Sequence, residues 1–291
     1  MKFNNLRNWH RSSFTSPASN QLVQDTPEED TMRIKKILAT ALCAAGLLAT
    51  QQASATAVGM ELMLLVDVSG SVNSTEYNLQ KTGYVQAFQS AAVQNAILGS
   101  QRGKIAVTYI EWSGSNQQST RVNWFLIDSV ASANAFASAL NGVTRAYQGS
   151  TALQDAIGKS YSLFGDEVGG VDNGFQSLRQ VIDVSGDGPD NDSDLYLRTG
   201  GGRDTALLAG VDVINGLPIG NEGGVVNEYN LYVKSANGFI EPADSFNDFS
   251  AAIERKLIRE ITTEVPEPAS LALVGIALAG GLASRRRAKK A

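Results

Sequence analysis

The sequence predicts an α/β fold, a doubly wound and mainly parallel sheet with helices on both faces and one antiparallel edge strand. Three observations carry that prediction. Short apolar runs alternate with helix-period segments across about 200 residues. The runs are continuously apolar, as strands covered on both faces must be. With 43% hydrophobic and 18% charged residues, 28 Gly and 7 Pro in 291, the composition suits a packed domain and not a disordered or collagen-like chain.

Residues 61–68 (ELMLLVDV) open the pattern as a buried strand ending in a polar turn. Asn73 and Glu76, three apart, can cap the helix that follows, in which Tyr77, Tyr84, Ala87, Phe88 and Ala91 share one face. Residues 104–112 form the second strand and 120–127 an antiparallel third, joined by a short polar link. The Ala- and Ser-rich stretch 128–140 is a helix. Another begins near Thr151, with Leu153, Ala156, Ile157, Ser160 and Phe164 on one side. Residues 179–185 and 211–217 are strands, separated by a short helix at 205–209. Residues 248–262 close the domain as an amphipathic helix with Phe249, Ala252, Ile253, Leu257 and Ile261 inward. The Gly-rich stretches 200–202 and 220–224 read as loops and lack the spacing of a phosphate-binding turn.

The two ends of the chain are of a different kind. From Met32, a basic stretch (Arg33, Lys35, Lys36) precedes an apolar run at 37–49 and a small-residue site at Ala53-Ser54-Ala55. This is the layout of a secretory signal cleaved after Ala55. A lipoprotein would acylate Cys43, but Leu42 stands where a small residue is needed. Residues 1–31 are polar and aperiodic, and the expectation is that they are an upstream extension, disordered or preceding a true start at Met32. At the other end, Val265-Pro266-Glu267-Pro268 is followed by an apolar run at 269–284, then by Arg285, Arg286, Arg287, Lys289 and Lys290. The run is near the lower limit for crossing a bilayer, and the basic cluster would hold its end in the cytoplasm. The expected organisation is a signal peptide at 32–55, one domain at 56–264 and a C-terminal signal at 265–291.

The chain's only histidine, His10, and only cysteine, Cys43, both precede residue 56. The domain therefore cannot run Ser-His-Asp or cysteine chemistry, form a disulfide, or hold zinc through His or Cys. Its 13 Lys and Arg stand against 24 Asp and Glu, a net charge of −11 where the full chain has −5. Such a surface disfavours nucleic acid and anionic lipid, and is compatible with divalent cations.

Three loops at strand ends or helix starts can gather oxygen ligands. Asp67-Val68-Ser69-Gly70-Ser71 lies at the carboxyl end of the first strand, the edge where open α/β sheets bind ligands. Alternation sends Asp67, Ser69 and Ser71 to one side. Gly149-Ser150-Thr151 presents a hydroxyl as a helix begins, and Ser185-Gly186-Asp187-Gly188 places a carboxylate after a strand. Two carboxylates and three hydroxyls suit a hard cation, Mg²⁺ first and Mn²⁺ or Ca²⁺ as alternatives.

This set resembles the metal-ion-dependent adhesion site of the von Willebrand factor A family, whose pattern is D-x-S-x-S, then a distant Thr, then a distant Asp. Asp67, Ser69, Ser71, Thr151 and Asp187 stand in that order. The resemblance spans residues 60–263 and implies the family's Rossmann-like sheet. It also implies metal contact by the hydroxyls, a carboxylate acting through water, and one coordination position left for an acidic group of the ligand. EWSG (111–114), VSGDG (184–188), INGLP (214–218) and RKLIREI (255–261) resemble a bacterial secreted subfamily of unassigned function. One departure is Gly186, which stands where the family has a hydroxyl residue directly before Asp-Gly. Asp183 is open to two readings, a buried hydrogen-bonded carboxylate or an outer-sphere partner of the metal's waters. The C-terminal order of Pro-Glu-Pro, apolar run and arginine cluster resembles the PEP-CTERM sorting signal of Gram-negative bacteria. That implies exosortase-type processing, transient anchoring through the apolar run, and delivery to the envelope, cell surface or biofilm matrix.

Weaker candidates read as structural. Asp190, Asp192 and Asp194 lack the calcium-loop pattern and suggest a solvated acidic loop. Trp112 and Trp124 suggest core, not sugar stacking. Lys81 and Lys104 suggest surface charges. The expected function is an exported, metal-dependent adhesion module that binds an acidic group of a protein or polysaccharide. The alternative is a matrix component whose ion only stabilises it. Catalysis by a metal-activated water, with Asp67 or Asp187 as base, is disfavoured because both carboxylates are better used by the metal.

Overall fold

The apolar run that opens the domain forms the middle of the sheet. In the computed structural model, which describes residues 55–194, 200–221 and 224–263, a short strand β1 (Thr56–Val58) leads into β2 (Met60–Asp67), buried along its whole length. Helix α1 (Ser74–Gln89) follows. Asn73 Oδ1 accepts the N–H groups of Thr75 and Glu76, and the Glu76 carboxylate accepts the Asn73 N–H. This is the predicted reciprocal cap, a feature that contributes about 0.5–2 kcal/mol. A second helix not predicted from sequence, α2 (Ala91–Leu98), starts at Ser90, which ends α1 and caps α2 through its hydroxyl.

Strands β3 (Ile105–Trp112) and β4 (Gln118–Ile127) form the antiparallel pair, and α3 (Val130–Asn141) returns over them, capped by Ser129. Helix α4 (Leu153–Ser160) runs on into a 3₁₀ segment (Tyr161–Val168). Next come β5 (Phe175–Ser177), paired in parallel with β1 in a small separate sheet, and β6 (Gln180–Gly186). Helix α5 (Gly201–Ala209), β7 (Val213–Pro218), the short α6 (Val225–Glu228) with a π-turn (Tyr229–Val233), and α7 (Phe249–Thr262) complete the domain.

The main sheet has the order β4-β3-β2-β6-β7, parallel except for β4. Successive residues of β2 feed opposite layers. Leu62, Leu64 and Val66 meet Tyr84, Phe88, Phe136 and Phe249 from α1, α3 and α7. Met63 and Leu65 meet Ile157, Phe164, Ala206 and Tyr229 from the α4–α6 side. Two sequence expectations need correction: Ala91, expected on the α1 face of Tyr84 and Phe88, is exposed at the start of α2, and the stretch 200–202 is not wholly a loop. Gly201 and Gly202 belong to α5, not to a loop. A side chain at Gly202 would collide with the Gln154 backbone, so the glycine allows α5 to lie directly on α4. The π-turn at 229–233 was hidden by its lack of helical periodicity.

The signal peptide with its Ala55 cleavage site lies outside the described residues apart from Ala55 itself. So do the upstream extension and the sorting motif of Val265, Pro266, Glu267 and Pro268. Among the described residues no helix is long and apolar enough to cross a membrane.

Candidate metal centre

The carboxyl end of β2 delivers Asp67 to the sheet edge with its side chain fully buried. Its Oδ1 accepts the backbone N–H of Ser69 at 2.7 Å, which folds the loop back over the carboxylate. Oδ2 is buried without a hydrogen-bond partner. Burial pushes the Asp67 carboxyl up to about 7, the Asp187 charge adds to this, and the Ser69 N–H works against it. The alternation expected for Ser69 and Ser71 is present, with their Oγ atoms 3.0 Å apart. The Ser71 hydroxyl donates to Asp187 Oδ1 at 2.7 Å. Asp67, Ser69, Ser71 and Asp187 thus form one continuous cluster from two strand ends.

Thr151 arrives by a separate scaffold. The Gly70 N–H donates to the Gly149 carbonyl at 2.7 Å, so the first two loops are bound backbone to backbone. The end of β3 holds the second loop from behind. Glu111 Oε2 accepts the Ala146 N–H, Ser113 Oγ accepts the Gly149 N–H and donates to the Ser150 carbonyl, and the Ser113 carbonyl accepts the Ala152 N–H. Thr151 exchanges hydrogen bonds with Asn191, donating its N–H to Oδ1 and accepting the Asn191 N–H. Its Oγ1 faces Gly188, 4.0 Å from where a β-carbon there would lie, so the hydroxyl is turned toward the Asp187 loop. All five predicted residues therefore meet at one edge of the sheet.

Arg145, which no sequence pattern marks, organises this edge. One of its guanidinium nitrogens donates to the carbonyls of Val68, Ser69 and Val72, and Nε donates to Tyr147. Those carbonyls all belong to the Asp67–Ser71 loop or its immediate exit, so one side chain fixes the backbone that aims the hydroxyls.

Other expectations resolve differently. Asp183 lies on the opposite face of β6 and pairs with Lys256 Nζ at 2.6 Å, both side chains fully buried. The outer-sphere reading of Asp183 is therefore replaced by an ion pair with α7. Asp190 and Asp192 are half-buried and bonded into the scaffold of the site, whereas Asp194 stays exposed as expected. Asp190 accepts the Gln154 N–H at the start of α4 and the Ser193 hydroxyl, Asp192 accepts the Ser115 N–H, and Asp194 pairs with Lys159. Trp112 is buried in the core. Trp124 packs on Phe164 and donates to the Leu163 carbonyl. Lys81 donates to the carbonyls of Asn141 and Val143 at the end of α3, while Lys104 is half-buried at the entry to β3.

The residues present fit a hard divalent cation. Every donor is oxygen, two are carboxylates, and a buried carboxylate oxygen with no donor is the environment that a positive charge satisfies. Among the described residues no three His, Cys, Asp or Glu side chains gather, so the set relies on its hydroxyls.

Comparison with known proteins supports the same fold. The model of a family described as a protein of unknown function, DUF1194, matches residues 57–265, and a PEP-CTERM protein-sorting motif matches residues 264–287. No curated protein matches the chain. Among solved structures, proximal thread matrix protein 1 from the mussel byssus is similar at 16% identity with a TM-score of 0.50, over 70% of this chain and 47% of that one. The same mussel protein is also known with a zinc-occupied MIDAS motif. The pilus adhesin SpaC from Lactobacillus rhamnosus GG, in its open conformation, is similar at 16% identity and a TM-score of 0.50, over 72% of this chain and 31% of that one. A von Willebrand factor type A protein from Catenulispora acidiphila matches at 13% identity and a TM-score of 0.48, over 72% of this chain and 44% of that one. The chain thus spans less than half the length of each of these proteins. By the match over residues 57–265 the chain belongs to the DUF1194 family; it shares the open α/β fold of the mussel and SpaC structures and carries a PEP-CTERM sorting motif at 264–287.

Proposed function

We propose that this protein is an exported adhesion module that captures an acidic group through a divalent cation. PEP-CTERM signals mark proteins sent to the envelope or surface of Gram-negative bacteria, and the C-terminal match supports that destination. The cation, Mg²⁺ or a similar hard ion, is held by Ser69, Ser71 and Thr151 with Asp67 and Asp187 supplying charge. When bound, it offers a coordination position to a carboxylate or other acidic group on a protein or polysaccharide. The chain's own residues orient that ion. Arg145 fixes the first loop, Ser113 and Glu111 the second, and β6 carries Asp187 to meet them. Sorting then proceeds through an exosortase-type enzyme, with the C-terminal apolar run as a transient membrane anchor.

One observation carries this reading: the hydroxyl chain from Ser69 through Ser71 to Asp187, set beside the buried, unpartnered Asp67 Oδ2. A binding role fits better than catalysis because both carboxylates are committed to the cation and the domain contains no histidine. The test is retention of the protein on immobilised acidic exopolysaccharide and envelope protein, in Mg²⁺ and in EDTA. Retention in Mg²⁺ that EDTA and Ser69→Ala both abolish is expected. Ion binding without ion-dependent retention would point to a purely stabilising ion in a matrix component.

A further inference from the structure

Tyr229 is the largest side chain near the site that the sequence did not flag, and its placement is unusual. It is fully buried, and its hydroxyl has no hydrogen-bond partner. Two glycines on adjacent strands make room for it. A β-carbon at Gly216 in β7 would lie 2.5 Å from Tyr229 Cδ1, and one at Gly186 in β6 would lie 2.8 Å from Tyr229 Oη. The ring therefore crosses β7 and its hydroxyl reaches over β6. The same absent β-carbon of Gly186 would lie 2.8 Å from Asp67 Oδ2. The two unpartnered buried oxygens thus flank one glycine, separated by no more than twice that distance, a span that a single water bridges. This also supplies a reason for Gly186 at the position where the family pattern has a hydroxyl residue.

A buried hydroxyl without a partner costs about 1–3 kcal/mol, and Phe would fill the same space without that cost. The retained hydroxyl and the cleared path toward Asp67 share one explanation. Resting on the cation reading above, we propose that Tyr229 is a positioning residue of the metal centre. Its O–H donates toward Asp67 Oδ2 through one bridging water and holds the carboxylate in the orientation that faces the ion. Gly186 keeps that path open.

The test is titration of Mn²⁺ into wild type, Tyr229→Phe and Gly186→Ala, with bound ion followed by electron paramagnetic resonance. Melting of each protein without ion is measured alongside. Tyr229→Phe should melt without ion no lower than wild type, yet bind Mn²⁺ about tenfold more weakly, the size of one hydrogen bond to a charged group. Gly186→Ala should weaken Mn²⁺ at least as much, because its methyl group meets both oxygens. Unchanged Mn²⁺ affinity in either variant overturns the inference, as does a lower ion-free melting temperature with unchanged affinity, which would mark Tyr229 as packing alone. Failure of wild type itself to bind Mn²⁺ would instead remove the cation reading on which the inference rests.

Discussion

Two buried acidic clusters sit on opposite faces of the same sheet, and they are neutralised in different ways. On the α7 face, Asp183 and Glu260 are both served by Lys256 Nζ at 2.6 Å, and Asn215 donates to the same Glu260 oxygen at 2.9 Å. On the other face, at the carboxyl edge, Asp67 is equally buried and has hydroxyls and a backbone N–H group around it, and among the described residues no cationic side chain pairs with it. Arg145, the nearest organising cation, spends its donors on backbone carbonyls. The difference teaches that the chain supplies a cation where the charge is structural. Where it supplies only oxygen, the proposed cation would provide the complementary charge.

Breaking the internal pair should have the largest effect. Lys256→Met leaves two buried carboxylates facing each other, and the loss of one partner of a buried ion pair costs about 3–5 kcal/mol. Chemical denaturation should show that loss, and Mg²⁺ should not restore it, because the α7 cluster is built for an ammonium group. Restoration by Mg²⁺ would mean that the two clusters are not distinct in kind.

The next effect sharpens the other side of the comparison. Arg145→Ala removes three donations to the Asp67–Ser71 loop, each to a carbonyl from a charged group. A loss of about 2 kcal/mol in stability is expected, together with weaker Mn²⁺ binding although Asp67, Ser69, Ser71, Thr151 and Asp187 are all unchanged. Calorimetric titration separates the two. Stability lost with full ion affinity would show that the loop keeps its shape without the guanidinium.

A third acidic group, at the amino-terminal end of β2, extends the comparison to pH. Glu61 accepts from Asn173 at 2.6 Å, and burial, reinforced by Glu167, pushes its carboxyl from 4.5 up to about 8. The folded state then binds the proton more tightly than the unfolded state between those values, so stability from this group is present at low pH and falls as pH rises from 4.5 toward 8. Melting curves across that range should show the decline, and Glu61→Gln should flatten it. An unchanged slope in the variant would assign the dependence to other carboxyls.

How much of this was legible in the sequence depends on the range over which each contact acts. The α1 cap, the buried β2 run and the Asp67–Ser69–Ser71 alternation are local patterns, and each was readable directly. The antiparallel β4 was readable because its link to β3 is too short for a crossover. Non-local partnerships were not. Helix α4 has no side-chain cap of its own at Ala152, and Asp190, 36 residues further on, supplies the acceptor for Gln154. No window around Asp190 contains that information, so the loop read as solvated. Asp183 read ambiguously for the same reason, since Lys256 reaches it from the last helix. Arg145 and Tyr229 act on backbone carbonyls and across glycines, and neither use leaves a compositional trace.

In the proposed site a divalent ion would supply the positive charge at the carboxyl edge of the sheet. The most direct measurement is the melting temperature of wild type and Asp67→Asn in EDTA and in saturating Mg²⁺ or Mn²⁺. An ion at a hundred times its dissociation constant should stabilise wild type by about 2.7 kcal/mol. Asp67→Asn should fold, melt in EDTA no lower than wild type because a buried carboxyl has been removed, and show no response to the ion. A wild-type transition indifferent to Mg²⁺, Mn²⁺ and EDTA would contradict the account, as would an Asp67→Asn variant that responds as fully as wild type.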